Sequence, residues 1–238
     1  MNTYTNDQIT GYQPSVETVT LVCQTRILLL VGISGVGKDT IRRNLVERSG
    51  FHSIVSHTTR QPRTNHGVLE REGIEYHFIS MDQAKQMVEN QAFVEVKSYS
   101  GNLYGTSVNE IKLAHDSGKV AVADIEVQGV SEYKQLSQEI MAVFLLPPNY
   151  ATWQQRLKQR YIDGNIDEVD LKKRIHTAYS ELEHALETNY FHFVVNDDLD
   201  ATLAEVEQIA RQYSPAPTSI QNRQVVVDLA QAISEAIS

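Results

Sequence analysis

An apolar run, Ile27-Leu28-Leu29-Leu30-Val31, passes directly into Gly32-Ile33-Ser34-Gly35-Val36-Gly37-Lys38-Asp39-Thr40. No other stretch constrains the fold as tightly. A short buried strand that delivers the chain into a glycine turn lets successive backbone N–H groups converge on phosphate oxygens, because the glycines carry no Cβ. Lys38 is placed to reach the outer phosphates, and the helix expected to start there has its positive end at the loop. Asp39 stands where Ser or Thr usually holds magnesium, and the hydroxyl falls one residue later, at Thr40. Asp39 is open to two readings: a first-turn helix residue favoured by the dipole, with Thr40 serving the metal, or a carboxylate in the water shell of magnesium.

A strand that ends on a phosphate loop belongs to a parallel sheet, and the chain from Arg26 to Tyr213 alternates accordingly. Strands are expected at Ile27–Val31, Ser53–Val55, Phe93–Val96, Val120–Ile125, Ala142–Leu146 and Phe193–Val195. Helices are expected at Lys38–Arg48, Asp82–Asn90, Val108–Asp116, Tyr150–Arg160, Asp167–Thr188 and Ala201–Tyr213, with capping boxes at Ser80-x-x-Gln83 and Ser107-x-x-Glu110. The alternation predicts an α/β fold with a central parallel sheet flanked by helices. Residues 1–25 read as an extension, ordered around Val19 to Val22. Residues 214–238 read as a Ser/Pro linker followed by an amphipathic helix carrying Val226, Leu229, Ala230, Ile233 and Ile237. That helix either docks on its own domain or makes a subunit or partner contact, which leaves a homo-oligomer open.

Composition narrows the partners. The net charge of −9 argues against nucleic acid and anionic membranes, which select cationic surfaces. The single cysteine, Cys23, forbids an internal disulfide, and the polar start with its lack of an apolar signal core suggests a cytoplasmic protein. The arginines therefore matter by position. Ser56-His57-Thr58-Thr59-Arg60-Gln61-Pro62-Arg63 places two guanidinium groups around a rigid proline, a fork suited to a second phosphate or, taken alone, a solvated basic loop. Arg156 and Arg160 lie four apart on one helical face, and Arg174 follows on the next helical segment. His57 is discounted as a base, and His66, His77 and His184 show no metal-ligand spacing.

Several separated motifs occur in one order: the phosphate loop, the Thr-Thr-Arg-x-Pro-Arg segment, Glu70-x-x-Gly73-x-x-Tyr76-x-Phe78, Phe93-x-Glu95, Gly101-Asn102-x-Tyr104-Gly105-Thr106, Asp124-x-x-x-Gln128-Gly129, the arginine pair, and Asn196-Asp197. In this the chain resembles guanylate kinases from about Ile27 to Tyr213. The resemblance implies a phosphate-loop kinase fold, with a GMP-binding subdomain over about 56–107 and a helical lid over about 150–175. It implies transfer of the γ-phosphoryl group of MgATP to GMP, and to dGMP, since no motif reads the 2′-hydroxyl.

On this resemblance Gly32, Ile33, Ser34, Gly35, Val36, Gly37, Lys38, Asp39, Thr40 and Asn196 bind ATP. Thr40 is the metal ligand. Ser56, Arg60, Arg63, Glu70, Tyr76, Glu95, Tyr104, Thr106 and Asp124 bind GMP, and Lys38, Arg60, Arg156, Arg160 and Arg174 act on the transferring phosphate. Glu95 is the base reader. Guanine offers N1–H and the N2 amine as adjacent donors to one carboxylate, whereas adenine leaves that carboxylate unpaired. The stretch Thr64–Leu69 is longer than this family usually has, as is Tyr161–Val169, which puts the placement of Arg63 and Tyr76 and the closure of the lid in question. Two other readings stay open: a catalytically silent domain of this fold that binds a protein, and a kinase of a sugar phosphate.

Overall fold

A computed structural model describes residues 9, 11–65, 67–159, 168–212 and 220–237. In chain order the elements are α1 (Val16–Gln24), β1 (Ile27–Val31), α2 (Lys38–Glu47), β2 (Phe51–Ser53), β3 (His57–Thr58), β4 (Thr64–Asn65), β5 (Val68–Leu69), β6 (His77–Phe78), α3 (Met81–Glu89) and β7 (Phe93–Tyr99). They continue with β8 (Asn102–Ser107), α4 (Val108–Asp116), β9 (Val120–Asp124), α5 (Gly129–Leu136), β10 (Met141–Leu146), α6 (Tyr150–Lys158), α7 (Glu168–Glu187), β11 (Phe191–Val195), α8 (Leu199–Gln212) and α9 (Ile220–Ile237). Two compact units result. The smaller comprises Met1–Arg26 and His52–Ala121, the larger Ile27–Phe51 and Val122–Ser238.

The larger unit is built on a five-stranded parallel sheet of order β11-β10-β1-β9-β2. Every residue of β1 and of β10 is buried, as strands covered on both faces require, so both read as unbroken apolar runs. Leu29 lies opposite Ala142 and Val31 opposite Phe144, which sets the end of β1, and hence the start of the phosphate loop, two residues short of the end of β10 at Leu146. Helix α9 packs on α7 and β11 through buried Val226, Leu229 and Ile233, and Asn222 Nδ2 donates to the Phe193 carbonyl at 2.7 Å.

The smaller unit carries a mixed sheet of order β6-β3-β8-β7. The insertion at 64–69 is a hairpin of β4 and β5, pinched at its base where Glu70 N–H donates to the Arg63 carbonyl at 2.9 Å. Helix α1 packs on α4, capped by Ser15, whose hydroxyl accepts from Thr18 N–H at 3.1 Å.

Several expectations need correction. The strand expected at Ser53–Val55 is β2 at Phe51–Ser53, because the Val55 N–H bonds the Glu110 carboxylate at 3.0 Å and is lost to any ladder. That same contact removes half of the expected capping box: Ser107 accepts from Glu110 N–H, but the Glu110 carboxylate faces Val55 and His77 and does not return to Ser107. The box at Ser80 and Gln83 is complete. Helices α1 and α5 and strand β8 had no clear periodic signal; α1 buries only Thr18 and Val22, and α5 opens on a glycine. Arg160 lies outside the described residues.

Candidate functional site

The phosphate loop sits in the larger unit and is braced from several directions. Gly32, Gly35 and Gly37 all have positive φ, and a Cβ on Gly32 would lie 2.5 Å from the Leu145 carbonyl oxygen. Glycine is therefore obligatory at Gly32 on two counts. Lys38 Nζ donates across the loop to the Gly32 carbonyl at 2.6 Å. Asn196, buried at the end of β11, donates from Nδ2 to the Val36 carbonyl at 2.7 Å, and its own carbonyl accepts from Arg156 Nη1 at 2.8 Å. Trp153 Nε1 donates to the Ser34 carbonyl at 2.9 Å, and Arg174 Nη1 to Ser34 Oγ at 3.2 Å while its Nε bonds Asp170. Ile33 and Val36 are buried beneath the loop.

The Asp39 side chain is 68% exposed, with Arg42 Nη2 at 3.9 Å. Acidic groups gather around Glu181, within reach of the charge of Lys38. Burial pushes the Glu181 carboxyl up to about 7; Lys38 opposes the rise, and Glu126 and Asp124 add to it. Glu181 lies seven residues beyond Arg174, so both project from one face of α7. Thr40, in the first turn of α2, offers the hard oxygen donor that magnesium takes, while among the described residues no group of three or more acidic, histidine or cysteine side chains is placed to hold a metal by itself. No such residue reading singled out Glu181 or Trp153 from sequence; the only signal was their helical spacing from Arg174 and Asn149.

The smaller unit assembles the second group. Arg60 forms a two-pronged bridge to Glu70, Nη1 to Oε2 at 2.8 Å and Nη2 to Oε1 at 3.2 Å. Glu70 Oε2 also accepts from the Arg63 N–H at 2.8 Å, so this carboxylate holds the fork together. The Arg60 guanidinium lies 5.2 Å from the Tyr76 ring centre, and the Tyr76 and Tyr104 rings are 6.0 Å apart. Burial works against the charge on Arg60, but bonding to Glu70 and Tyr104 outweighs it and raises the pKa. Ser56 anchors β6 by accepting the His77 N–H at its carbonyl, 2.9 Å.

On β7 and β8, Glu95 pairs with Thr106 and Lys97 with Tyr104, which puts these four side chains on one face of the sheet. A bulge between Phe93 and Glu95 breaks the ladder there, and the Thr106 N–H donates to Glu95 Oε1 at 3.0 Å. Gly105 makes this possible: a Cβ would lie 2.7 Å from the Glu95 carbonyl oxygen. His57 is half-buried beside His77 with ring centres 4.6 Å apart. Burial lowers its pKa to about 4, His77 pushes the same way, and Glu110 and Glu72 oppose. The imidazole is neutral, with Nδ1 lacking a hydrogen-bond partner. Asp124, grouped above with the GMP ligands, belongs to the larger unit beside Lys38 and Glu181.

A parallel sheet whose first strand feeds a glycine loop closed by a lysine, together with arginines held near that loop, defines a phosphate-loop phosphotransferase of the α/β class. The sequence matches the family model described as guanylate kinase over residues 24–213. It is similar to the guanylate kinase of Schizosaccharomyces pombe, 34% identical over 198 residues, covering 82% of this chain and 95% of that one. It is also similar to the guanylate kinase of Shewanella frigidimarina, 36% identical over 200 residues, covering 82% and 92%. The solved guanylate kinase of Anaplasma phagocytophilum shares the fold, with a TM-score of 0.57 at 23% identity over 89% of this chain and 94% of that one. The chain belongs to the guanylate kinase family.

Proposed function

We propose that this chain transfers the γ-phosphoryl group of MgATP to GMP, and to dGMP, giving ADP and GDP or dGDP. The observation that carries the acceptor is Glu95, an ionisable side chain fixed by the Thr106 N–H on the same sheet face as Tyr104. Its second oxygen and its charge are suited to the paired donors of guanine, and the Thr106 hydroxyl is the donor proposed for O6. Arg60, Arg63, Ser56, Tyr76 and Tyr104 take the GMP phosphate, with Glu70 holding Arg60 in place.

Phosphoryl transfer needs positioning and charge more than a protein nucleophile. Lys38 leaves the Gly32 carbonyl for the β- and γ-phosphates, and the loop N–H groups surround them. Arg156 and Arg174 exchange the Asn196 carbonyl and Ser34 hydroxyl for the equatorial oxygens of the transferring group, where the negative charge spreads. Arg160 joins them on the family resemblance alone. Thr40, with Asp124 and Glu126, would hold magnesium, which would neutralise phosphate charge when bound. The attacking oxygen is an ionised phosphate of GMP, so His57 is not needed as a base. Among the described residues no helix is long and apolar enough to cross a membrane. The cytoplasm, where nucleotide pools are held, is the proposed location.

The test is ADP production from MgATP with GMP, dGMP, AMP, UMP and a ribose phosphate offered in turn. GMP and dGMP are expected to serve. No turnover with any acceptor refutes the enzyme, and turnover with the sugar phosphate alone reassigns its substrate. Glu95→Gln is expected to lower kcat/KM for GMP by about 10²-fold, as loss of one charged base contact does.

A further inference from the structure

Ile9 and residues 11–13 lie ahead of the stretch that matches the family, yet Ile9 and Tyr12 pack on the sheet that bears Glu95. Ile9 is buried among Ala84, Phe93, Val96 and Leu103, with Tyr12 packed against the same cluster. Tyr12 N–H closes a turn onto the Ile9 carbonyl at 3.0 Å, and Gln91 Nε2 ties down the Gln13 carbonyl at 3.2 Å. Tyr12 reaches Phe93 on β7, the outer strand of the order β6-β3-β8-β7.

An outer strand presents backbone groups that no ladder satisfies. At Phe93 one phenol takes both: Tyr12 Oη donates to the Phe93 carbonyl at 2.6 Å and accepts from the Phe93 N–H at 3.1 Å. The bulge begins at this residue and ends at Glu95. A bulge decides toward which face the next side chain points, and a slip of one residue would turn Glu95 to the opposite face. The clamp therefore holds the residue on which the orientation of Glu95 depends. Burial raises the pKa of Tyr12, bonding to Phe93 opposes this, and the charge of Glu95 adds to the rise, so the hydroxyl keeps its proton and stays a donor.

We infer that Tyr12 is a positioning residue for Glu95: the N-terminal extension sets guanine selectivity by fixing the bulge from outside the sheet. This rests on Glu95 as the base reader. Tyr12→Phe in the full chain removes only the hydroxyl. It is expected to raise KM for GMP about 5- to 10-fold and to lower the GMP-over-AMP ratio of kcat/KM by the same factor, with kcat and KM for MgATP unchanged. Ile9→Ala, which keeps the hydroxyl but loosens its anchor, should move KM for GMP in the same direction. A lowered melting temperature with unchanged KM and selectivity in these variants reduces the segment to a structural strap and overturns the inference. In a Glu95→Gln background Tyr12→Phe should add little, because the two act as a unit. If Glu95→Gln itself kept full guanine selectivity, the base-reader assignment would fall. If Glu95→Gln lost it and Tyr12→Phe did not, only the role of Tyr12 would.

Discussion

The Glu181 carboxyl is held near neutrality by burial and by its acidic neighbours, and this makes the folded chain's stability depend on pH. Because its pKa in the fold, about 7, lies above the 4.5 of an ordinary glutamate, the folded state holds a proton that the unfolded chain has released between those values. Stability is therefore complete below pH 4.5 and declines as pH rises through 7. Glu181→Gln removes that decline. At pH 8 the variant is expected to unfold on the order of 1–3 kcal/mol later than the parent in urea, with the gap closing at pH 4. An equal gap at both pH values would show that Gln changes packing and not charge. His57 has the opposite sign: a histidine kept neutral by burial loses stability as pH falls from 6.5 toward 4, when the unfolded chain takes up the proton first. Asp39 shows what residue identity alone leaves open. Its helix-start position was legible, but its neighbour Arg42, one helical turn away at 3.9 Å, was not.

At the scale of elements, β7 and β8 depend on a missing side chain. Gly105 lets the Phe93 ring and the Glu95 carbonyl approach to distances that a Cβ would contest at 2.9 and 2.7 Å. Gly105→Ala should force β7 to shift, with a cost of about 1–3 kcal/mol in overpacking and a larger proportional loss in GMP affinity than in ATP affinity, measured by calorimetry. Equal losses for both nucleotides would locate the damage elsewhere. How far sequence carries differs between such elements. β1 and β10 were legible because burial on both faces leaves an apolar run with no competing pattern. The β2 register was not, because Ile54 and Val55 are apolar for burial while Val55 spends its N–H on Glu110, 55 residues on. The motif residues of the site were legible as types at fixed spacing. Tyr12 and Trp153 were not, because each acts through contacts about 80 to 120 residues distant that no local period encodes.

At the scale of the whole molecule, the tail is part of the larger unit's core. Ile233 is fully buried and Leu229 nearly so, on a helix that covers α7, the element carrying Arg174 and Glu181. Ile233→Ala is expected to lower unfolding free energy by about 2–4 kcal/mol, read as a reduced urea midpoint at unchanged slope. A silent substitution would mean that α9 is a passenger. The arrangement of the two units also has a temporal side. Both sheet neighbours of β1, which are β9 (Val120–Asp124) and β10, are encoded only as or after the smaller unit is completed at Ala121. At a synthesis rate of ~5–20 residues per second, the five apolar residues of β1 wait on the order of ten seconds for a partner. During that interval the emerging chain carries a bare, aggregation-prone strand in front of a unit already able to fold, so the ribosome-bound state, more than the finished protein, is where this sequence stands to need a chaperone.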